Sequence, residues 1–261
     1  MLHTVNNVHL FVREQGQGEP TLVFLHFYGG SSRTWQLVID QLQARHRCIA
    51  YDHRGWGQSD KPATGYAIPE LAADAAALIG QLGLNNYVLV GHSMGGKVAQ
   101  LLASQQPAGL KGLILVAPSP ATPTNLPEEA FQKVLHAYDT VDSSYGALNH
   151  VLTHQPLPEA VQQQTVTDMQ QRTEAACLGW TTVALPQDVS ANLARLNVPI
   201  LLIAAEYDQV DTVERLQQEL LPLLPGAQFV VIPNAGHLVM LEAPAEVARL
   251  IDTFVQDLDR P

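Results

Sequence analysis

Six short apolar runs punctuate this chain, and amphipathic stretches separate several of them. The runs are Thr21–Leu25, Cys48–Tyr51, Tyr87–Gly91, Leu113–Ala117, Pro199–Ala205 and Ala227–Ile232. Each has strand length, and several are nearly continuous in Val, Ile and Leu, the pattern of a strand covered on both faces. Leu71, Ala75, Leu78 and Leu82 share one helical face, as do Val247, Leu250, Phe254 and Leu258. Strand–helix alternation of this kind predicts an α/β fold, a mostly parallel central sheet flanked by helices. The early stretch His9–Val12 is expected to pair antiparallel at an edge.

The alternation breaks after Ala117. Four prolines, Pro118, Pro120, Pro123 and Pro127, fall within ten residues, which no regular element tolerates. Helical periodicity follows, through Phe131, Val134, Leu135 and Tyr138, then Tyr145, Leu148 and Leu152, then Val166, Met169, Thr173 and Ala176. Residues 118–188 therefore form a helical insertion between two parts of one core domain, 1–117 and 189–261. The length of 261 residues and a 46% hydrophobic content supply a sizeable core.

Composition narrows the partners. Acidic residues outnumber basic ones 25 to 14, a net charge of −11, and no basic patch interrupts it. Such a field repels a phosphate backbone, so nucleic acid is not an expected partner. No apolar run approaches the ~20 residues that span a bilayer, and the N-terminus lacks a basic n-region and an apolar h-region. The expectation is a cytoplasmic protein without a membrane partner, monomeric or homodimeric. The two cysteines, Cys48 and Cys177, do not form a disulfide framework.

The sharpest local signal is Gly91-His92-Ser93-Met94-Gly95-Gly96, after one apolar run and before a helical run through Val98, Leu101 and Leu102. A strand-to-helix turn this tight strains its central residue and projects the Ser93 side chain above the sheet. A serine hydroxyl needs a base to remove its proton and an acid to orient that base. Asp208 follows the run ending at Ala205, and His237 in Pro233-Asn234-Ala235-Gly236-His237 follows the run ending at Ile232. Both fall where a parallel sheet gathers its sites, at the strands' C-terminal ends. Asp211 is a rival acid, although Asp211-Thr212 fits better as the start of a helix through Val213, Leu216 and Leu220. His150 and His154 have the spacing of a zinc pair. Val151 stands where a metalloprotease needs Glu and no third ligand is evident, so a polar helix face is the expected reading and no metal site is assigned.

Taken in order, these motifs resemble the α/β-hydrolase-fold serine hydrolases, in the esterase- and lipase-like branch with a helical cap. His26-Phe27-Tyr28-Gly29-Gly30 and Asp52-His53-Arg54-Gly55-Trp56-Gly57-Gln58-Ser59-Asp60 complete the set with the Ser93, Asp208 and His237 segments. The resemblance implies a cofactor-free enzyme that cleaves a carboxylic ester or related acyl bond of a small molecule through an acyl-enzyme. It implies Ser93, His237 and Asp208 as the triad, and the backbone N–H groups of Tyr28 and Met94 as the oxyanion hole. The 118–188 insertion becomes a cap, with Trp180, Tyr138 and Tyr145 either lining the pocket or packing the cap. Lactones, thioesters, carbon–carbon bonds beside a ketone, perhydrolase side activity and ligand sensing remain open alternatives. The family usually has Gly where Phe27 stands; Phe27 either distorts the loop or narrows the acyl pocket.

Overall fold

A computed structural model describes residues 1–191 and 193–258. Residues 192 and 259–261, which the sequence assigns to the second core segment, lie outside the described residues. Eight strands form one sheet: β1 (Leu2–Val5), β2 (Val8–Gln15), β3 (Thr21–Leu25), β4 (Cys48–Tyr51), β5 (Tyr87–Ser93), β6 (Leu110–Pro118), β7 (Ile200–Ala205) and β8 (Gln228–Ile232). Their order is β1-β2-β4-β3-β5-β6-β7-β8. The strands from β3 onward pair in parallel, whereas β2 runs antiparallel to both β1 and β4.

The continuous apolar runs lie at the centre for a physical reason. Every residue of β3, β4, β5 and β7 is buried, because helices cover both faces of a parallel sheet. At the far edge of the parallel part, β8 is partly open to solvent. Sequence periodicity does not predict β1, which is short and mostly exposed. It pairs with β2 through a tight turn at Asn6 (φ 46°) and Asn7 (φ 63°), both in the left-handed region that asparagine tolerates.

Helices α1 (Gln36–Leu42), α2 (Ile68–Gln81) and α3 (Met94–Ser104) follow β3, β4 and β5. Ile68, Leu71, Ala72, Ala75, Leu78 and Ile79 form the buried stripe of α2, which packs on α3. The C-terminal helix Pro244–Leu258 buries Val247, Ile251 and Phe254 against α1 and β6. A Cβ at Gly112 of β6 would lie 2.8 Å from the Phe254 ring, so this helix approaches the sheet as closely as glycine permits.

Between β6 and β7 the described residues form no strand. They fold into α4 (Glu128–Leu135), α5 (Val141–Ala147), α6 (Glu159–Met169) and α7 (Glu174–Leu178), with wider helical turns at Leu148–Leu152 and Gly179–Ala184. The chain's entry to and exit from this segment are tied together: Val189 N–H donates to the Ala121 carbonyl at 2.9 Å, and Thr124 N–H to that of Leu185 at 3.1 Å. Among the described residues no helix is long and apolar enough to cross a membrane. Cys48 and Cys177 are both buried and free.

Candidate active site

Ser93 ends β5 and caps α3 with φ 50° and ψ −115°, a conformation that β-carbon sterics disfavour. The turn holds it there because its flanks must approach other backbone closely. A Cβ at Gly91 would lie 2.6 Å from the Gly95 carbonyl oxygen, and one at Gly95 would lie 2.5 Å from that of Leu25. Gly95 N–H also donates to the His26 carbonyl at 3.1 Å, which fastens the turn to the loop after β3.

His237, on the loop after β8, meets Asp208, on the loop after β7. The His237 Nδ1 to Asp208 Oδ2 distance is 2.8 Å, and both side chains are fully or almost fully withdrawn from solvent. The other Asp208 oxygen accepts the N–H groups of Val210 (2.7 Å) and Asp211 (3.0 Å). An ionised Asp208 is therefore satisfied by donors, and it fixes the proton of His237 on Nδ1, leaving Nε2 as the basic nitrogen. Burial disfavours the charged imidazole, but the Asp208 carboxylate and its hydrogen bond, with a contribution from Asp211, raise the His237 pKa above the ordinary value. Of the two candidate acids, Asp208 is the one that touches His237. Asp211 turns to Arg215 (2.9 Å), and Thr212 caps the helix that starts at Val213.

The neighbouring histidines serve the framework. His92 Nε2 donates to the His237 carbonyl at 2.9 Å, and burial followed by the nearby His237 charge keeps its pKa low, so it is neutral. His26 accepts the His53 N–H on Nε2 (2.9 Å), which leaves Nδ1 to donate to the Phe27 carbonyl (2.7 Å). Asp52 receives the Ser32 and Gln58 N–H groups at 2.6 and 2.8 Å, and Arg54 forms two 2.6 Å bonds to Asp74. The carboxylates and guanidinium of that motif are engaged in holding loops. His150 and His154 do not converge on a ligand set: His154 stacks on Tyr207 at 3.9 Å. No group of three His, Cys, Asp or Glu side chains among the described residues could hold a metal ion.

Phe27 does not distort its loop. The left-handed conformation falls on Gly29 (φ 88°), where a Cβ would strike the Tyr138 ring at 2.4 Å, and not on Phe27. The Phe27 ring instead packs edge-on to His92 (5.3 Å) and forms part of a cavity wall. That cavity has a volume of about 490 Å³. Ser93 and His237 share it with Tyr28, Leu126, Val134, Leu152 and Trp180. The insertion thus supplies much of the wall. Trp180 and Tyr138 both line the cavity and pack on Tyr28, with ring centroids 6.3 and 5.3 Å away, while Tyr145 is not part of the lining.

Three polar groups that periodicity and motifs leave unmarked, two of them buried, hold the insertion on the core. Lys97, one turn after Ser93, donates to the carbonyls of Thr122 (3.2 Å) and Leu185 (2.8 Å), where the chain enters and leaves the insertion. Asp168 on α6 accepts from Ser31 Oγ at 2.8 Å and pairs with Arg33. Glu242 receives the N–H groups of His154 (2.7 Å) and Gln155 (2.6 Å) on one oxygen and that of Gly236 (2.7 Å) on the other. The signal for Lys97 is a lysine on the otherwise buried face of α3. For Glu242 and Asp168 the sequence carries none.

A family model described as "Alpha/beta hydrolase family" matches residues 22–250. The chain belongs to the alpha/beta hydrolase family. Its sheet order, with Ser93 ending β5 and Asp208 and His237 on the loops after β7 and β8, agrees with the membership that the motifs suggest. An esterase from Exiguobacterium antarcticum shares the fold at a TM-score of 0.87 and 22% identity, with 98% of each chain covered. An N-acyl homoserine lactone degrading enzyme, Est816, is 28% identical at a TM-score of 0.84, covering 97% of this chain and 100% of its own. The 2-(acetamidomethylene)succinate hydrolase of Mesorhizobium japonicum is 26% identical over 96% of this chain and 93% of the relative.

Proposed function

We propose that the protein is a serine hydrolase that cleaves a carboxylic ester, or a related acyl bond, of a small molecule through an acyl-enzyme. The observation that carries the reading is the buried 2.8 Å pair of His237 and Asp208, with His237 lining the same cavity as the strained Ser93. In this reading His237 Nε2 takes the Ser93 proton as Oγ attacks the carbonyl carbon. The tetrahedral oxyanion collapses, the C–O bond to the alcohol breaks, and His237 returns the proton to the leaving oxygen. Water then repeats the cycle on the acyl-serine, and the carboxylic acid leaves.

The oxyanion lies between the amides of Tyr28 and Met94. Neither amide donates to a protein group among the described residues, which suits both to a developing negative charge. The 118–188 insertion acts as the cap, and its apolar wall receives the acyl chain. No cofactor takes part in this scheme. A cyclic ester fits the same chemistry, and the lactone-degrading relative supports that extension.

A panel of p-nitrophenyl esters from C2 to C12 tests the reading, with multiple turnover expected on short and medium chains. A single slow turnover followed by persistent ligand-induced stabilisation indicates a sensor instead. The same panel assigns Phe27. Phe27→Ala removes a cavity wall, so tolerance should extend to longer chains. Each newly accommodated methylene is worth ~0.8 kcal/mol, or up to about fourfold in kcat/KM. Equal scaling at every chain length points to the oxyanion loop, and an unchanged profile leaves Phe27 as packing.

A further inference from the structure

We propose that Asp211 is a substrate-recognition residue, accepting a hydrogen bond from a hydroxyl or amide N–H that the substrate carries away from its scissile bond. This rests on the ester-hydrolase reading and adds a chemical feature of the substrate to it.

Asp211 is only 2% exposed, yet it borders the cavity, where it is the only acidic side chain among the described lining residues. One carboxylate oxygen is held by Arg215 Nη1 at 2.9 Å. The second has no hydrogen bond among the described residues, and it is not sealed from the cavity. Arg215 does not turn further donors to it: its Nε goes to Glu219 (3.2 Å) and its Nη2 to Thr124. A half-satisfied carboxylate against an apolar wall is costly, and a donor on the bound molecule removes that cost.

Within the framework the carboxyl holds only Arg215, which Glu219 and Thr124 also hold. Residue 211 supports Asp208 through its backbone N–H, which almost any side chain would allow. Burial pushes the Asp211 carboxyl up to about 7; Asp208 adds to the rise, while His237, Arg215 and Lys97 oppose it. A buried acid this far from its ordinary range is typical of functional sites. The donor it accepts is neutral. Arg215 and Lys97 already face the carboxylate, and an ammonium would have to be desolvated among their charges and the apolar wall.

The test uses matched ester pairs at pH 8, where the carboxyl carries its charge. One set places a hydroxyl at successive positions of hexanoyl p-nitrophenyl esters; the other uses butyrate monoesters of the hexanediols, against hexyl butyrate. The ratio of kcat/KM with and without the hydroxyl is read within each protein, so a general change in activity cancels. Wild type should favour one hydroxylated ester by about tenfold or more, and D211A and D211L should each bring that ratio close to one. D211A adds no volume and covers the case in which D211L does not fold. Ratios near one throughout for wild type, or a preference that survives in D211A and in any folded D211L, overturn the assignment. If no plain ester is turned over, the ester reading fails by itself. Calorimetric binding of hexanol against the hexanediols, to wild type and D211A, then decides Asp211 by the same comparison.

Discussion

Ser93→Ala should reduce ester turnover by roughly 10⁴- to 10⁶-fold, the loss seen when a hydrolase of this type loses its nucleophile. Ser93 Oγ has no hydrogen bond among the described residues, so removing it leaves no buried group without a partner. Alanine adds no volume, and it accepts the elbow's φ of 50° about as poorly as serine does. Circular dichroism and the thermal midpoint should therefore stay close to wild type. Wild-type-like turnover by a well-folded variant sinks the serine mechanism.

Asp208→Asn should cost about 10⁴-fold in kcat, because an amide in place of the carboxylate removes the acceptor that holds the His237 proton on Nδ1. Nε2, which still faces the serine, then carries the proton and cannot accept another. Asp211→Asn should lose far less, since Asp211 holds Asp208 through its backbone N–H and its charge is the smallest of the contributions that raise His237. A reversal of these two losses makes Asp211 the acid. The pH profile carries a second, independent sign. Only the neutral imidazole accepts the Ser93 proton, so kcat/KM rises as pH climbs through the His237 pKa. In wild type that limb should sit above the ordinary histidine value, because burial, the largest single influence, is outweighed by the Asp208 charge, its hydrogen bond and Asp211 together. Without the Asp208 charge, burial prevails, and the limb of the residual activity should move to lower pH.

Much of this was legible because burial leaves a trace in composition. The β3 and β4 runs coincide with their strands, Thr21–Leu25 and Cys48–Tyr51, since a strand covered on both faces can hold little but apolar residues. Runs at β5 and β6 come out short, as β5 continues through the polar His92 and Ser93, and β6 begins with Lys111 exposed in its second position. The exposed β1 left no periodic trace; its clue is the Asn6-Asn7 turn. The places of Ser93, Asp208 and His237 were legible because Ser93 ends a recognisable strand and the other two lie on loops just after recognisable strands, so topology alone brings them to one end of the sheet.

What stayed hidden is the meeting of residues distant in sequence. Glu242 joins the segment at His154 to the loop at Gly236, and Lys97 joins Thr122 to Leu185, yet nothing local selects those carbonyls and amides. The loop at Phe27 hid its answer for another reason. A missing glycine suggests strain at that position, but the backbone moves the left-handed conformation to Gly29 and leaves the Phe27 ring free to wall the cavity.

The central claim is that Ser93 Oγ bonds covalently to the substrate's acyl group, and a p-nitrophenyl alkylphosphonate tests it most directly. Attack by Oγ on phosphorus expels p-nitrophenolate and leaves a phosphonyl-serine that water removes slowly. Intact-protein mass spectrometry of the wild type should show one phosphonyl group per chain, with loss of esterase activity in step and the adduct on the Ser93 peptide. Ser93→Ala should remain unlabelled. An enzyme that keeps hydrolysing esters with no adduct on Ser93, or a Ser93→Ala variant that is labelled to the same extent, contradicts the account.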